Sequence, residues 1–447
     1  MPAPAPIPSA TQLSGWGRFP RLACRVIAPA DADAAVASAA VEPSLIAFGN
    51  GRAYGDAALN PAATMAMRGC AGVEAFDPET GLLVVRAGTL LADVIGDFLP
   101  RGWFPPVTPG TRFVTLGGMV AADVHGKNHH RAGTFGAHVA WLDLALADGR
   151  VLRCSATENP EVFAATCGGM GLTGIILRVA FRMMKVETRL IRQETLRAPG
   201  LDAVMDLFQA SEDWTYSVAW IDCLSGGASL GRSVLTRGEH ARAAEAPAPL
   251  APPRARGWRM GFDLPGFALN RWSVRAFNAL YYRAGRPGIA LVDLQPFFYP
   301  LDAILEWNRI YGRSGLFQYQ CVLPLDASRA GLGALLRCIA GRGAGSFLSV
   351  LKRFGAVPAA CPGMLSFPME GYTLALDFRA TAANLRLAQE LDAIVADHGG
   401  RLYLAKDARM APAMMRAYPG LPRFRAARAQ LDPAGKFASA QSRRLGL

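Results

Sequence analysis

The chain has 447 residues, 51% of them hydrophobic and 18% charged, and a formal net charge of +12. That length exceeds one ordinary core, so two domains are expected, and the composition excludes a disordered chain. The basic balance favours anionic partners such as phosphates or an acidic membrane surface, but no Lys/Arg block of five occurs, which speaks against nucleic acid.

In chain order, residues 1–14 begin Met1-Pro2-Ala3-Pro4, lack an apolar signal core and read as a flexible arm. Strands are expected at 44–48 and 82–87, where short apolar runs are bounded by turn residues. A helix is expected at 90–99 from its apolar spacing. Residues 141–147 and 151–154 flank Asp148-Gly149 and read as a hairpin. A short helix at 161–166 and a strand at 175–184 follow. Further on, strands are expected at 216–223, 317–323, 347–354 and 373–378, and helices at 201–211, 330–340 and 382–398. Several strands with crossing helices suggest an antiparallel sheet covered on one face. A strand-like 401–404 opens the last region.

Residues 243–253 read as an Ala/Pro linker. The segment 254–286 then mixes arginines with Trp258, Phe262, Phe267, Trp272, Phe277, Tyr281 and Tyr282. It is either a helix-rich cap or a mobile basic and aromatic flap for an anionic membrane or a lipid substrate. No apolar run is long enough to span a bilayer. The cysteines (Cys24, Cys70, Cys154, Cys167, Cys223, Cys321, Cys338 and Cys361) contain no Cys-x-x-Cys, so no metal site is expected. Scattered thiols fit a reduced compartment, and a cytoplasmic location is the default.

Two glycine-rich loops carry the chemistry. Gly49-Asn50-Gly51-Arg52-Ala53-Tyr54-Gly55-Asp56 follows a strand and offers free backbone N–H groups. It is either an anion nest for a pyrophosphate or a plain tight turn. A second segment runs from Pro109-Gly110-Thr111 to Gly117-Gly118 and leads into His125, Lys127, Asn128, His129 and His130. Three of six histidines fall there, more than a surface loop needs, as though a charged cofactor were held. The Gly-x-Gly-x-x-Gly of Gly169, Gly171 and Gly174 has a helix before it and a strand after it. That is the reverse of the dinucleotide fingerprint, so a Rossmann unit and NAD are excluded.

Residues 51–60, 109–138, 168–176 and 403–406 together resemble flavoprotein oxidases of the vanillyl-alcohol oxidase type. The likeness is closest to the branch acting on polyprenyl-phosphoryl ribose. HGKNHH (from His125), AGTFGAHV (from Ala132), FQYQCVLP (from Phe317), YLAKD (from Tyr403) and DPAGKFASAQSRRL (from Asp432) carry it. The resemblance implies an α+β protein. Its two-part FAD-binding domain would comprise 1–186 and 401–447, with an inserted substrate domain on an antiparallel sheet at 187–400. It implies FAD held non-covalently, since no histidine stands in Gly51-Arg52-Ala53-Tyr54-Gly55. Flavin contacts are expected from Gly51, Arg52, Ala53, Tyr54, Gly55, Asp56, Gly110, Thr111, Thr115, Gly117, Gly118, Val124, His125, Gly126, Ile176 and Tyr403.

The implied reaction is oxidation of the 2′-hydroxyl of a polyprenyl-phosphoryl ribose to the ketone, the first half of an epimerisation to arabinose. It would need a partner short-chain keto-reductase, with a quinone or oxygen as electron acceptor and peripheral contact with the membrane. The alternative is a related oxidase of a soluble sugar, alditol or aldonolactone. Lys406 matches the base, with His125 and Tyr403 beside it. Burial can lower a lysine pKa by up to about 3–5 units; the contrary reading pairs Lys406 with Asp407 at the surface. Substrate contacts are expected from Tyr54, Lys127, Trp220, Gln318, Gln320, Lys352 and Lys406. Gln318 and Gln320 share one strand face, which suits sugar hydroxyls or simply solvent. Trp220 is a pocket wall or a core residue. One departure is Ala375, where the mycobacterial-type pattern has a cysteine attacked by covalent inhibitors, so thiol-directed inhibition should fail here. Thr373 replaces the usual asparagine.

Overall fold

The computed structural model describes residues 10–246, 250, 257–356 and 363–447. Most of the expected 243–253 linker, Arg254 and Cys361 lie outside them. Three sheets organise the fold. A small parallel sheet joins Val26–Ile27, Thr64–Ala66 and Ile46–Phe48. A five-stranded antiparallel sheet runs in the order Val151–Cys154, Val139–Ala145, Ile175–Arg182, Leu82–Arg86, Val73–Asp77. The large antiparallel sheet has eight strands, in the order Gly288–Asp293, Leu190–Ala198, Ser233–His240, Tyr216–Ile221, Ser349–Phe354, Gly371–Arg379, Leu316–Pro324, Arg401–Leu402.

Period-2 alternation gives the large sheet its two faces. Cys321, Leu374, Leu351, Ala219 and Leu235 lie in register across five strands. They pack into the main core with Leu332, Leu336, Leu387 and Leu391 of the helices Leu325–Arg342 and Ala382–Asp397. Each fully buried leucine there contributes about 2 kcal/mol. One residue along, Gln320, Ala375, Val350, Trp220 and Val234 form the neighbouring cross-strand row. That row lines a cavity on the opposite face.

The C-terminal segment ties the sheets together. Phe437 is buried beside Leu45, and the Leu45 N–H donates to Lys436 O at 3.0 Å. The Arg444 guanidinium holds Asp56 (2.8 Å) and Asp407 (2.9 Å) at once.

Four expectations are corrected. Thr11–Ser14 is a strand paired with Arg21–Cys24, so the described part of the N-terminal arm is anchored. The Trp16 and Gly17 amides donate to Ala53 O (2.7 Å) and Tyr54 O (3.0 Å), which pins the segment further. The strands Leu190–Ala198, Ser233–His240 and Gly288–Asp293 were not expected; charged residues blur the alternation of the first two, and the third is a short apolar run with no alternation to read. Gly117 and Gly118 lie in the helix Leu116–Ala121, capped by the Thr115 hydroxyl, and His129–Ala132 is a helical turn. The second glycine segment therefore ends in a helix, and His125 and His129 after it are buried. The last strand ends at Leu402, and residues 403–406 form a turn in which the Lys406 N–H donates to Tyr403 O at 2.9 Å.

Candidate active site

The cavity has a volume of about 700 Å³ and lies between the large sheet and the two glycine loops. Its wall contains Gly51, Arg52, Ala53, Tyr54, Gly110, Thr111, Thr115, Gly117, Gly118, Val124, His125, Gly126, Lys127, Ile176, Trp220, Gln318, Gln320, Lys352, Tyr403 and Lys406. Only two of the expected site residues miss it. The Asp56 carboxylate is engaged by Arg444. Gly55 packs against Asp407 so closely that a Cβ there would stand 2.0 Å from its carbonyl oxygen. Both therefore support the loop from behind.

The polar cluster after the second glycine loop divides in the same way. His125 and Lys127 reach the cavity. Asn128 Nδ2 donates to Pro106 O at 2.8 Å, and His130 Nε2 lies 2.8 Å from Trp214 O. His129 is buried against Phe354, with no hydrogen bond to either ring nitrogen among the described residues.

At the centre, Lys352 Nζ lies 2.9 Å from His125 Nδ1. The His125 Nε2 lies 3.2 Å from the Gln320 carboxamide, which also reaches the Thr373 hydroxyl at 3.2 Å. Burial, with Lys352 beside it, holds the His125 pKa well below the usual histidine range, so the ring is neutral. Gln318 Nε2 donates to Asp377 Oδ1 (2.6 Å) and to the Tyr54 hydroxyl (3.3 Å). Both glutamines are buried, so the solvated-face reading of that strand falls.

Lys406 sits with its ammonium 4.1 Å from the centre of the Tyr54 ring. Its neighbour Asp407 turns the other way, to Arg444, so the surface-pair reading also falls. Removal from water pushes the Lys406 pKa down to about 8, against the opposing pull of the Asp377 carboxylate. Burial likewise lowers Lys352 and Lys127 to about 7. Lys127 donates to the Phe297 carbonyl and lies 4.3 Å over that residue's ring. Asp377 moves the opposite way, up to about 7, because burial disfavours its charge. Three amines in one enclosed wall make it a receptor for anions, and a lysine that readily becomes neutral can take a proton.

The Tyr403 hydroxyl donates to Ala122 O at 2.8 Å, and its ring stacks on Phe367. Trp220 Nε1 donates to Phe347 O at 3.1 Å while its ring meets Tyr281. Trp220 is thus both a buried sheet residue and a cavity wall. Ala375 faces the cavity, and Thr373 lies behind Gln320.

Sequence reading missed Asp377, although it stands two residues beyond Ala375 on the same strand face. It also missed Tyr281, Asp302, and Gly171 and Gly174 of the rejected glycine motif, all of which line or border the cavity.

A family model described as an FAD binding domain matches residues 23–155. Decaprenylphosphoryl-beta-D-ribose oxidase of Mycolicibacterium smegmatis is 36% identical over 98% of this chain and 97% of its own length. An uncharacterised protein from the mprA 5′ region of Streptomyces coelicolor is 37% identical over 78% of this chain and 97% of its own. Cytokinin dehydrogenase 8 of Oryza sativa subsp. indica is 34% identical, but over only 21% of this chain and 18% of its own.

The cavity suits FAD. The backbone N–H groups of Asn50, Gly51, Arg52 and Ala53 meet no acceptor among the described residues, which fits an anion nest. The Arg52 guanidinium rests 4.0 Å over Trp16, and its buried Nε has no partner there either. A Cβ at Gly110 would enter open space. Free amides and a guanidinium with an unused Nε–H are what a pyrophosphate requires, and the wall beyond them is largely apolar. The chain is an FAD-dependent oxidoreductase and belongs to the family of decaprenylphosphoryl-β-D-ribose oxidase.

Proposed function

We propose that this enzyme oxidises the 2′-hydroxyl of a polyprenyl-phosphoryl ribose to the 2′-keto sugar. The observation that carries the reading is the convergence of Lys127, Lys352, Lys406, Gln318 and Gln320 on one cavity. Its amines favour a phosphorylated sugar over a neutral alditol or lactone.

When bound, FAD supplies a hydride acceptor. Lys406, as the neutral amine, takes the hydroxyl proton. Tyr54 braces that amine, and Asp377 biases its charge. Gln318 and Gln320 hold sugar hydroxyls, and Lys352 and Lys127 hold the phosphate. His125, kept neutral and fixed between Lys352 and Gln320, orients the sugar against the flavin. Tyr403 shapes the flavin wall, since its hydroxyl is already committed to a backbone carbonyl.

The cofactor is held without a covalent bond. The only histidine in the cavity wall is His125, engaged at both ring nitrogens, and no cysteine lines the wall among the described residues. Residues 1–186 and 401–447 form the cofactor domain, and 187–400 form the substrate domain. The edge strand Arg401–Leu402 is shared with the large sheet.

A 2′-ketone is half of an epimerisation, so a short-chain keto-reductase must follow. A quinone or oxygen must take the electrons away. The substrate's lipid tail sets the reaction at a membrane surface. Turnover with polyprenyl-phosphoryl ribose, compared with a free pentitol, tests the proposal. Activity on the pentitol alone would overturn it.

A further inference from the structure

The segment beside the cavity carries an unusual surface. Thirteen large apolar side chains are exposed among the described residues, and nine lie between Trp258 and Leu291. The helix Arg271–Ala284 buries Val274 and Asn278 on one side. On the opposite side Trp272, Ala276 and Leu280 follow at i, i+4 and i+8, flanked by Arg275 and Arg283. Trp272 is 62% exposed and Leu280 67% exposed, and Phe267, just before the helix, is 79% exposed. Arg271, Arg275, Arg283 and Arg286 make no ion pair among the described residues. The one acid from 257 to 286, Asp263, is neutralised by Arg18.

The same elements reach inward. Tyr281 of the helix lines the cavity and meets Trp220, and Val292 of the edge strand Gly288–Asp293 lines it too. In that strand Ile289 and Leu291 are exposed.

We propose that the helix Arg271–Ala284, with Phe267 before it and the strand Gly288–Asp293 after it, docks on an anionic phospholipid surface. The aromatic and aliphatic residues enter the headgroup layer, and the free arginines meet lipid phosphates. Charge complementarity decides the occupant, because four unpaired arginines on the patch would repel a second copy of the same surface. The proposal deepens the reading of a lipid-linked substrate and rests on it. Docked this way, Tyr281 stands between the bilayer and the sugar site.

The test is flotation of the FAD-loaded protein with phosphatidylcholine vesicles, with and without phosphatidylglycerol, at low and high salt. Binding is expected only to the anionic vesicles and should weaken with salt. Arg275→Gln with Arg283→Gln should weaken it roughly thirtyfold, from about fivefold per arginine. Phe267→Ser with Trp272→Ser should also release the protein. Both variants should keep their flavin and their turnover of a short-chain, water-soluble phosphoryl ribose. The proposal is overturned if anionic vesicles are not bound, if both variants bind like the parent, or if the patch instead mediates concentration-dependent self-association. Vesicle binding without oxidation of any phosphoryl ribose would refute the substrate reading and leave the docking surface standing.

Discussion

The Lys352 ammonium nitrogen lies 2.9 Å from His125 Nδ1, so one contact links the phosphate side of the cavity to the imidazole at its centre. Lys352→Ala removes an anion contact and frees the ring to titrate. KM for the phosphorylated substrate should rise about tenfold to a hundredfold, the worth of one charged hydrogen bond. Any turnover of a free sugar should not change. A ¹⁵N-resolved titration of His125 should show its pKa rising, because the neighbouring positive charge is gone. An equal loss on both substrates would contradict the assignment.

Lys406 must be neutral to accept a proton, whereas Lys127 and Lys352 must be charged to hold phosphate. Burial lowers the pKa of the first to about 8 and of the others to about 7. The pH profile of kcat/KM should therefore be a narrow bell: it rises as Lys406 loses its proton and falls as the phosphate-binding amines lose theirs. Lys352→Arg keeps a fixed charge and should extend the alkaline limb. Lys406→Met should cut kcat by about a hundredfold to ten-thousandfold while flavin content is kept.

Asp377 pulls the Lys406 pKa upward. Asp377→Asn keeps an acceptor for Gln318 but removes the charge. The acid limb of the profile should then move to lower pH, with less than about a tenfold change in the plateau. An unmoved limb would mean that Asp377 only packs.

Two glycine substitutions separate folding from cofactor binding. At Gly55 a Cβ would meet Asp407 O at 2.0 Å and Ala408 Cα at 2.7 Å. Gly55→Ala should therefore destabilise the protein by about 1–3 kcal/mol, seen as a lower Tm. At Gly110 a Cβ meets nothing within 4 Å. Gly110→Ala should leave the melting of the flavin-free protein unchanged and weaken FAD retention on gel filtration. Normal retention would move the pyrophosphate away from this loop.

Ala375 lines the cavity where a cysteine would be open to attack. Of the seven cysteines among the described residues, six are buried and Cys338 is half-buried. Thiol-directed reagents should leave turnover of the parent intact. Ala375→Cys should confer covalent inactivation with one added label by mass spectrometry.

Much of this was legible in the residues. The glycine loop at 49–56, the shared face of Gln318 and Gln320 and the reversed glycine motif follow from strand periodicity and local turn chemistry, whereas the role of the two glutamines is implied only by the family resemblance; the strand Leu316–Pro324 is legible despite being buried on both faces. Two strands of the large sheet escaped because residues such as Arg192, Glu194 and Arg237 interrupt the apolar alternation, and Gly288–Asp293 escaped because a short apolar run shows no alternation. The pairing of Asp56 was not legible, because its partner Arg444 arrives from the far end of the chain. The same blindness hid Asp377, whose importance comes from Gln318 and Lys406 across the fold. Neighbours distant in sequence set charge and burial, and a single chain of letters does not display them.

The most direct measurement is anaerobic mixing of the FAD-loaded protein with polyprenyl-phosphoryl ribose, followed by the visible absorbance of the flavin. Rapid bleaching with that substrate is predicted, together with little change for free ribose or a pentitol and a much slower phase in Lys406→Met. Bleaching by the free sugars but not by the phosphoryl ribose, or equal rates in the Lys406 variant, would contradict it.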